Sequence, residues 1–231
     1  DHLEGTLLDR AEFLIATGIH SSPTDDHLNQ IFGKFLDRIR PRIAWHDARD
    51  MLSMRPVGSD SFGETVYLND SVFEADTVLA IGSVEPHYFA GYTGGRKSLF
   101  PGLCDFATTE RNHNLANSLE AQPMRLDGNP VAEHLAGLLN LVSMSRIVTI
   151  QAVLDVSREL ATITMGPLEG AFDWDSAEVQ ADQRVRWPLE LLWFGGPGRA
   201  RMKARHRQYR HSGTPIPAGG RYVCWAERHV V

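Results

Sequence analysis

The sequence predicts an α/β fold: a mostly parallel sheet with flanking helices, followed by a partial second α/β domain. Three observations lead there: continuous apolar runs that end in glycine-bearing loops, capped amphipathic segments between them, and one long glycine-rich loop that bears His87, Arg96 and Lys97. Glu12 to Ala16 is a short apolar run closed by Thr17-Gly18, as expected of a buried strand, and the loop after it carries His20. Pro23, Thr24, Asp25 and Asp26 then supply a cap, a proline and first-turn acids. Leu28, Ile31, Phe32, Phe35 and Leu36 continue at helical spacing to about Ile39. Arg42 to Trp45 is a second strand, ending in His46-Asp47. Glu64 to Leu68 is a third, preceded by turn residues from Gly58 to Gly63. Asp76 to Ile81 is a fourth, and its unbroken apolar character fits a strand covered on both faces.

Helical patterns follow from Asp105 to about Leu119 and from Pro130 to Leu141, the second opened by Asn129-Pro130. Arg146 to Val153 and Glu159 to Thr164 read as a strand hairpin, and a further helix is expected from Trp174 to Arg184. A division near residue 142 separates residues 1–142, the expected site-bearing domain, from a partial and divergent 143–231. From Gln183 onward there are ten Lys/Arg against two acidic residues, in a chain whose net charge is -6. A solvated face is the simpler reading of that basic segment, and no nucleic acid partner is expected. No apolar run of membrane-spanning length and no signal-peptide pattern occurs, so a cytoplasmic protein without a membrane partner is expected. Cys104 and Cys224 form no CxxC pair and suggest neither a disulfide framework nor a cysteine-rich zinc site.

The segment between the fourth strand and the next helix is too long for a plain connection, and it lies past a strand's carboxyl end, where open α/β sheets bind ligands. It contains Gly94, Gly95, Arg96 and Lys97 in succession. Glycine amides beside two cations suit an anion. The spacing is nevertheless neither that of a P-loop nor GxGxxG, so no nucleotide class follows. His20, His87 and His113 each sit at a strand end or near a helix start and can meet at one rim of the sheet. On spacing alone, a zinc hydrolase with these three ligands is as defensible as proton-transfer chemistry.

The string Glu85-Pro86-His87-Tyr88-Phe89-Ala90-Gly91-Tyr92-Thr93-Gly94-Gly95-Arg96-Lys97-Ser98-Leu99-Phe100-Pro101-Gly102 is more specific. With Ala16-Thr17-Gly18-Ile19-His20 before it and Asn112-His113 after it, it resembles the nickel-dependent lactate racemase family. The resemblance runs from about residue 12 to 165. It implies a nickel-pincer nucleotide, a pyridinium mononucleotide with two sulfur-bearing substituents, attached covalently to Lys97. His113 is then the protein ligand to nickel, His20 and His87 are paired acid/base groups, and Gly94, Gly95 and Arg96 hold the cofactor. The implied reaction is racemisation or epimerisation of a small 2-hydroxy acid by hydride transfer, with the cofactor-biosynthesis enzymes as partners. The family's upstream Asp…Arg-Pro element has no counterpart here. Its Gln-x-x-Lys step corresponds to Gln208 and His211, implied substrate contacts with a histidine in the lysine's place. A partial chain is therefore expected, either a racemase or a cofactor-binding fragment without turnover.

Overall fold

The computed structural model describes residues 10–154, 159–168, 170, 171, 173 and 222–226. Its centre is a six-stranded sheet in the order β2-β1-β10-β5-β8-β9. The strands are β1 (Ala11–Ile15), β2 (Ile43–Trp45), β5 (Thr77–Ser83), β8 (Ile147–Leu154), β9 (Leu160–Pro167) and β10 (Tyr222–Ala226). The first five in spatial order pair in parallel, and β9 returns antiparallel along β8 as the expected hairpin. β10 fills the place between β1 and β5. β8 lies beyond residue 142, where the sequence suggests a division, and pairs with β5 inside the same sheet. The helix expected at 174–184 lies outside the described residues.

Successive buried residues at the end of β1 enter two different layers. Leu14 and Ala16 join a core with Val78 and Ala80 of β5, whereas Ile15 packs with Leu28 and Leu36 on the opposite face. Helices α1 (Asp25–Phe32) and α2 (Leu36–Ile39) cover that second face. The single helix expected from this region is instead broken at Gly33, whose φ of 49° and ψ of -131° leave helical space. The start of α1 is as expected: Thr24 accepts from His27 N–H and the His27 ring accepts from Thr24 N–H.

The larger core collects Leu135, Leu138 and Leu139 of α5 (Pro130–Leu139) with Leu99, Phe100, Leu103 and Cys104. Against it lies a separate antiparallel hairpin of β3 (Met54–Ser59) and β4 (Thr65–Asn69). The sequence reading places β4 but reads the end of β3 as turn, because Pro56 and Gly58 are poor strand formers; the register shift between these two residues accommodates them. After the short α3 (Ser71–Glu74) and β5, a miniature hairpin of β6 (Pro86–His87) and β7 (Gly91–Tyr92) precedes α4 (Phe106–Asn114). α4 stops at Asn114 and tightens into a 3₁₀ turn from Leu115 to Asn117, short of the expected Leu119. Among the described residues no helix is long and apolar enough to cross a membrane.

Candidate functional site

The connections leaving β1 and β5 run to opposite sides, to β2 and to β8 respectively. Loops past such a divergence form the ligand crevice of open α/β sheets. The β1 loop carries His20, which is exposed and whose N–H donates to Thr17 O at 3.0 Å. Gly18 N–H donates to Gly102 O at 3.0 Å, so this loop is laced to the far end of the long loop after β5.

The long loop begins with a tight hairpin. Thr93 Oγ1 donates to Ser83 O at 3.0 Å and accepts from Glu85 N–H at 2.9 Å, which closes the base. His87 stands on this hairpin and is half-buried; its Nδ1 accepts from Ala90 N–H at 3.2 Å. An imidazole accepting at Nδ1 carries its neutral-state proton on Nε2. Phe89 packs edge-on against the His87 ring, centroids 4.6 Å apart, and against the His113 ring at 5.3 Å. Asn129 is fully buried, caps α5 with its Oδ1, and donates from Nδ2 to Phe89 O at 2.9 Å. The same residue therefore starts a helix and holds the aromatic spacer.

Gly94, with φ 70°, and Gly95, with φ 52°, turn the chain into a 3₁₀ segment from Gly95 to Ser98. A Cβ at Gly94 would lie 2.6 Å from Ser83 O and 2.5 Å from Gln151 Oε1, so this position has no room for a side chain. Lys97 is half-buried and held on both sides by its backbone: its N–H donates to Gly94 O at 3.0 Å and its carbonyl accepts from Gly102 N–H at 3.1 Å. The next residues, Leu99 and Phe100, are wholly excluded from solvent and fasten the lysine turn to the core. Arg96 Nη1 donates to Ala132 O at 3.2 Å and ties the loop to the first turn of α5.

His113 arrives on the last turn of α4. Asp105 caps that helix through Thr108 N–H at 2.9 Å and also accepts from Tyr67 N–H of β4 at 3.0 Å. Arg111 pairs with the fully buried carboxylate of Asp60 at 2.7 Å, and Asn112 donates to Val131 O of α5 at 3.1 Å. Burial pushes the Asp60 carboxyl up, but Arg111 and the Glu64 and Phe62 N–H groups outweigh it and hold Asp60 below the usual carboxylate range. The His113 imidazole is held below its ordinary value, first by burial and then by the charges of Lys97 and His20. It is thus neutral at pH 7 with a lone pair to offer. Lys97 and His20, from two other segments, thus bear electrostatically on His113, and Phe89 links its ring to that of His87.

Three further residues emerge that residue types alone do not single out. His46 is buried, accepts from Asn69 Nδ2 at 3.3 Å and donates from Nε2 to Cys104 O at 2.9 Å, while Thr17 Oγ1 donates to His46 O. It joins the floor of the β1 loop to the start of α4, and burial lowers its pKa. Asn129 and Gln151 brace the long loop from α5 and β8. The sequence signal for Gln151 is a polar residue inside the apolar run Ile147 to Leu154. Burial pushes the Cys104 thiol up to about 12, so it is no nucleophile. Among the described residues no group of three or more His, Cys, Asp or Glu side chains is arranged to hold a metal, so His20, His87 and His113 are not gathered as a zinc cage. Gln208 and His211 lie outside the described residues.

Fold and geometry together define an α/β protein with a long, lysine-bearing loop past the carboxyl end of a parallel strand. A family model described as the lactate racemase N-terminal domain matches residues 4–123, more than half of the chain, and the chain belongs to that family. It is 29% identical over 164 residues to the lactate racemase of Lactiplantibacillus plantarum, covering 70% of this chain and 38% of that protein. It is 30% identical over 162 residues to the lactate racemase of Thermoanaerobacterium thermosaccharolyticum, covering 69% and 37% respectively. The lactate racemase apoprotein structure from T. thermosaccharolyticum superposes with a TM-score of 0.67 at 28% identity, over 74% of this chain and 40% of that one. A Thermotoga maritima crystal structure shares the fold, with a TM-score of 0.61 at 19% identity over 72% and 46% of the two chains. The chain thus spans well under half the length of the curated relatives it matches.

Proposed function

We propose that this chain carries the cofactor-anchoring and acid/base part of a 2-hydroxy-acid racemase or epimerase of the lactate racemase type. The observation that carries the reading is Lys97 set in a glycine turn fastened to the core, with the Phe89 ring between the His87 and His113 rings; Lys97 and His20 bear electrostatically on His113. Were a nickel-pincer nucleotide bound, the half-buried His113 imidazole would offer nickel a nitrogen donor and the half-buried Lys97 amine would serve as its covalent tether. The residues present therefore fit a nickel-pincer nucleotide held by Lys97 and His113. When bound, that group supplies the hydride acceptor for the carbon of a 2-hydroxy acid.

The protein's own part is proton handling and orientation. With Nδ1 engaged by Ala90 N–H, His87 meets the substrate as a donor from Nε2. His20, exposed on the β1 loop, takes the substrate hydroxyl proton as the carbon is oxidised and returns it when the keto group is reduced, so the protons balance over a turnover. Phe89 keeps the His87 and His113 rings apart, so that one serves substrate and the other the cofactor. Gly95 N–H is committed to Gln151, so a cofactor phosphate at this turn meets Arg96 rather than that amide. The proposed setting is cytoplasmic, with the cofactor-making enzymes as partners.

Peptide mass spectrometry and nickel analysis of protein co-produced with those enzymes test the reading. An adduct on Lys97 with about one nickel per chain is expected, and its absence in Lys97→Ala. Unmodified Lys97 without nickel overturns it. A second reading is cofactor binding without turnover. Lactate racemisation by this chain well above a Lys97→Ala control excludes that alternative.

A further inference from the structure

Beneath the lysine turn, β8 buries two polar side chains that the proposed reaction does not use. Thr149 and Gln151 are both fully excluded from solvent, and two residues apart on a strand they share a face. Their hydrogen bonds run in one direction. Thr149 Oγ1 donates to Ala80 O of β5 at 3.0 Å, which leaves its lone pairs to accept from Gln151 Nε2. Gln151 Oε1 is then turned toward the loop and accepts from Gly95 N–H at 3.2 Å. The opposite amide orientation would set an NH₂ group against a backbone N–H, so the donors at both ends fix the side chain. The result is a buried relay from the β5 backbone through Thr149 and Gln151 to Gly95, two residues before Lys97. The same oxygen also fills the space where a Cβ at Gly94 would stand, so it packs against the turn as well as bonding it.

We propose that Gln151 is a positioning residue for Lys97: its side-chain amide sets the Gly94–Gly95 turn and thereby the place at which the lysine amine is presented. The role of Lys97 as tether rests on the function proposed above, whereas the setting of the turn does not. Without the Gln151 carbonyl, Gly95 N–H is buried with no acceptor, and the turn must open toward water to satisfy it. Lys97 moves with it, because its N–H is bonded to Gly94 O in the same turn.

Gln151→Leu keeps most of the volume and removes both hydrogen bonds; Thr149→Val removes the support of Gln151 Nε2 at nearly constant shape. Amide hydrogen exchange of the Gly94–Ser98 segment and acetic anhydride labelling of Lys97, with Lys34 as internal reference, are read by mass spectrometry on the full chain without cofactor. Gln151→Leu is expected to accelerate Gly95 exchange about tenfold or more and to change the Lys97 to Lys34 labelling ratio by about threefold or more. Thr149→Val moves both in the same direction by less, and exchange in β1 and α5 stays as in the wild type. Unchanged Gly95 exchange with an unchanged labelling ratio overturns the proposal, and so does uniform acceleration across the sheet, which assigns Gln151 to general stability. Should Gln151→Leu fail to fold, Thr149→Val decides by the same two readouts. Wild-type protein that takes no adduct on Lys97 overturns the tether reading and leaves the Gly95 result standing. Equal cofactor loading by Gln151→Leu and wild type, despite an opened turn, overturns the positioning role.

Discussion

The loop after β1 and the loop after β5 are laced together at Gly18 and Gly102 but are held by different means. The β1 loop presents an exposed His20 on a few backbone hydrogen bonds and one glycine contact. The β5 loop drives Leu99, Phe100 and Leu103 into the core and sets Lys97 in a turn braced by Gln151. The contrast matches the work proposed for each. A residue that exchanges protons with a substrate must stay reachable, whereas a covalent anchor must hold its bearer in one place. Stability should therefore respond steeply to changes in one loop and weakly in the other.

The largest effect is expected from Phe100→Ala, which empties a fully buried site next to the lysine turn and should cost about 3–5 kcal/mol by denaturant unfolding. A loss below about 1 kcal/mol would mean that the long loop is not fastened through the core. Next comes the same glycine substitution made in each loop. Gly94→Ala meets positive φ and two oxygens at 2.5 and 2.6 Å, and should cost about 2–3 kcal/mol. Gly18→Ala meets positive φ but only Pro101 O at 3.5 Å, and should cost about 1 kcal/mol. Equal losses would erase the distinction between the loops.

Acid supplies a third test, directed at His46, at His113 of α4 and at His134, a buried residue of α5. His46, His113 and His134 are all held below the ordinary imidazole value of 6.5, burial being the first cause in each. The unfolded chain therefore binds more protons than the folded one just below that value. Their contribution is full above about pH 6.5 and is lost as pH falls toward the lowered values, by up to about 1.4 kcal/mol per pH unit for each group. Unfolding midpoints measured between pH 7.5 and 5 should fall; a flat profile would refute the buried neutral histidines. The smallest effect on stability is expected at exposed His20: replacement by alanine should change unfolding by less than about 0.5 kcal/mol. In a cofactor-loaded enzyme the same change should slow racemisation roughly a hundredfold or more.

Much of this arrangement is legible in the residues. The α/β class follows from the continuous apolar runs at β1 and β5, because strands covered on both faces need no polar alternation, and the β8–β9 hairpin follows from two strand-like runs joined by a short connection. The lysine loop announces itself by its glycines and its length. Pattern alone does not reveal β3, since Pro56 and Gly58 suppress the strand signal that pairing with β4 overrides. The break at Gly33 is likewise a backbone event, in which helical spacing of the side chains continues past a glycine that has left helical space.

The sequence by itself determined which chemistry-bearing residues the long loop and its neighbours carry: a glycine turn with Arg96 and Lys97, His87 upstream, His113 downstream and His20 on an earlier loop. Chemistry-bearing residue types survive translation into one dimension because identity is local. The tertiary structure alone decided what surrounds them. It placed β10 between β1 and β5, gave His113 its lowered basicity through burial, Lys97 and His20, and set Asn129 and Gln151 behind the loop. Those last two are ordinary polar residues in sequence. Their significance is a matter of which donors and acceptors the fold leaves facing each other without water, and no spacing along the chain encodes that.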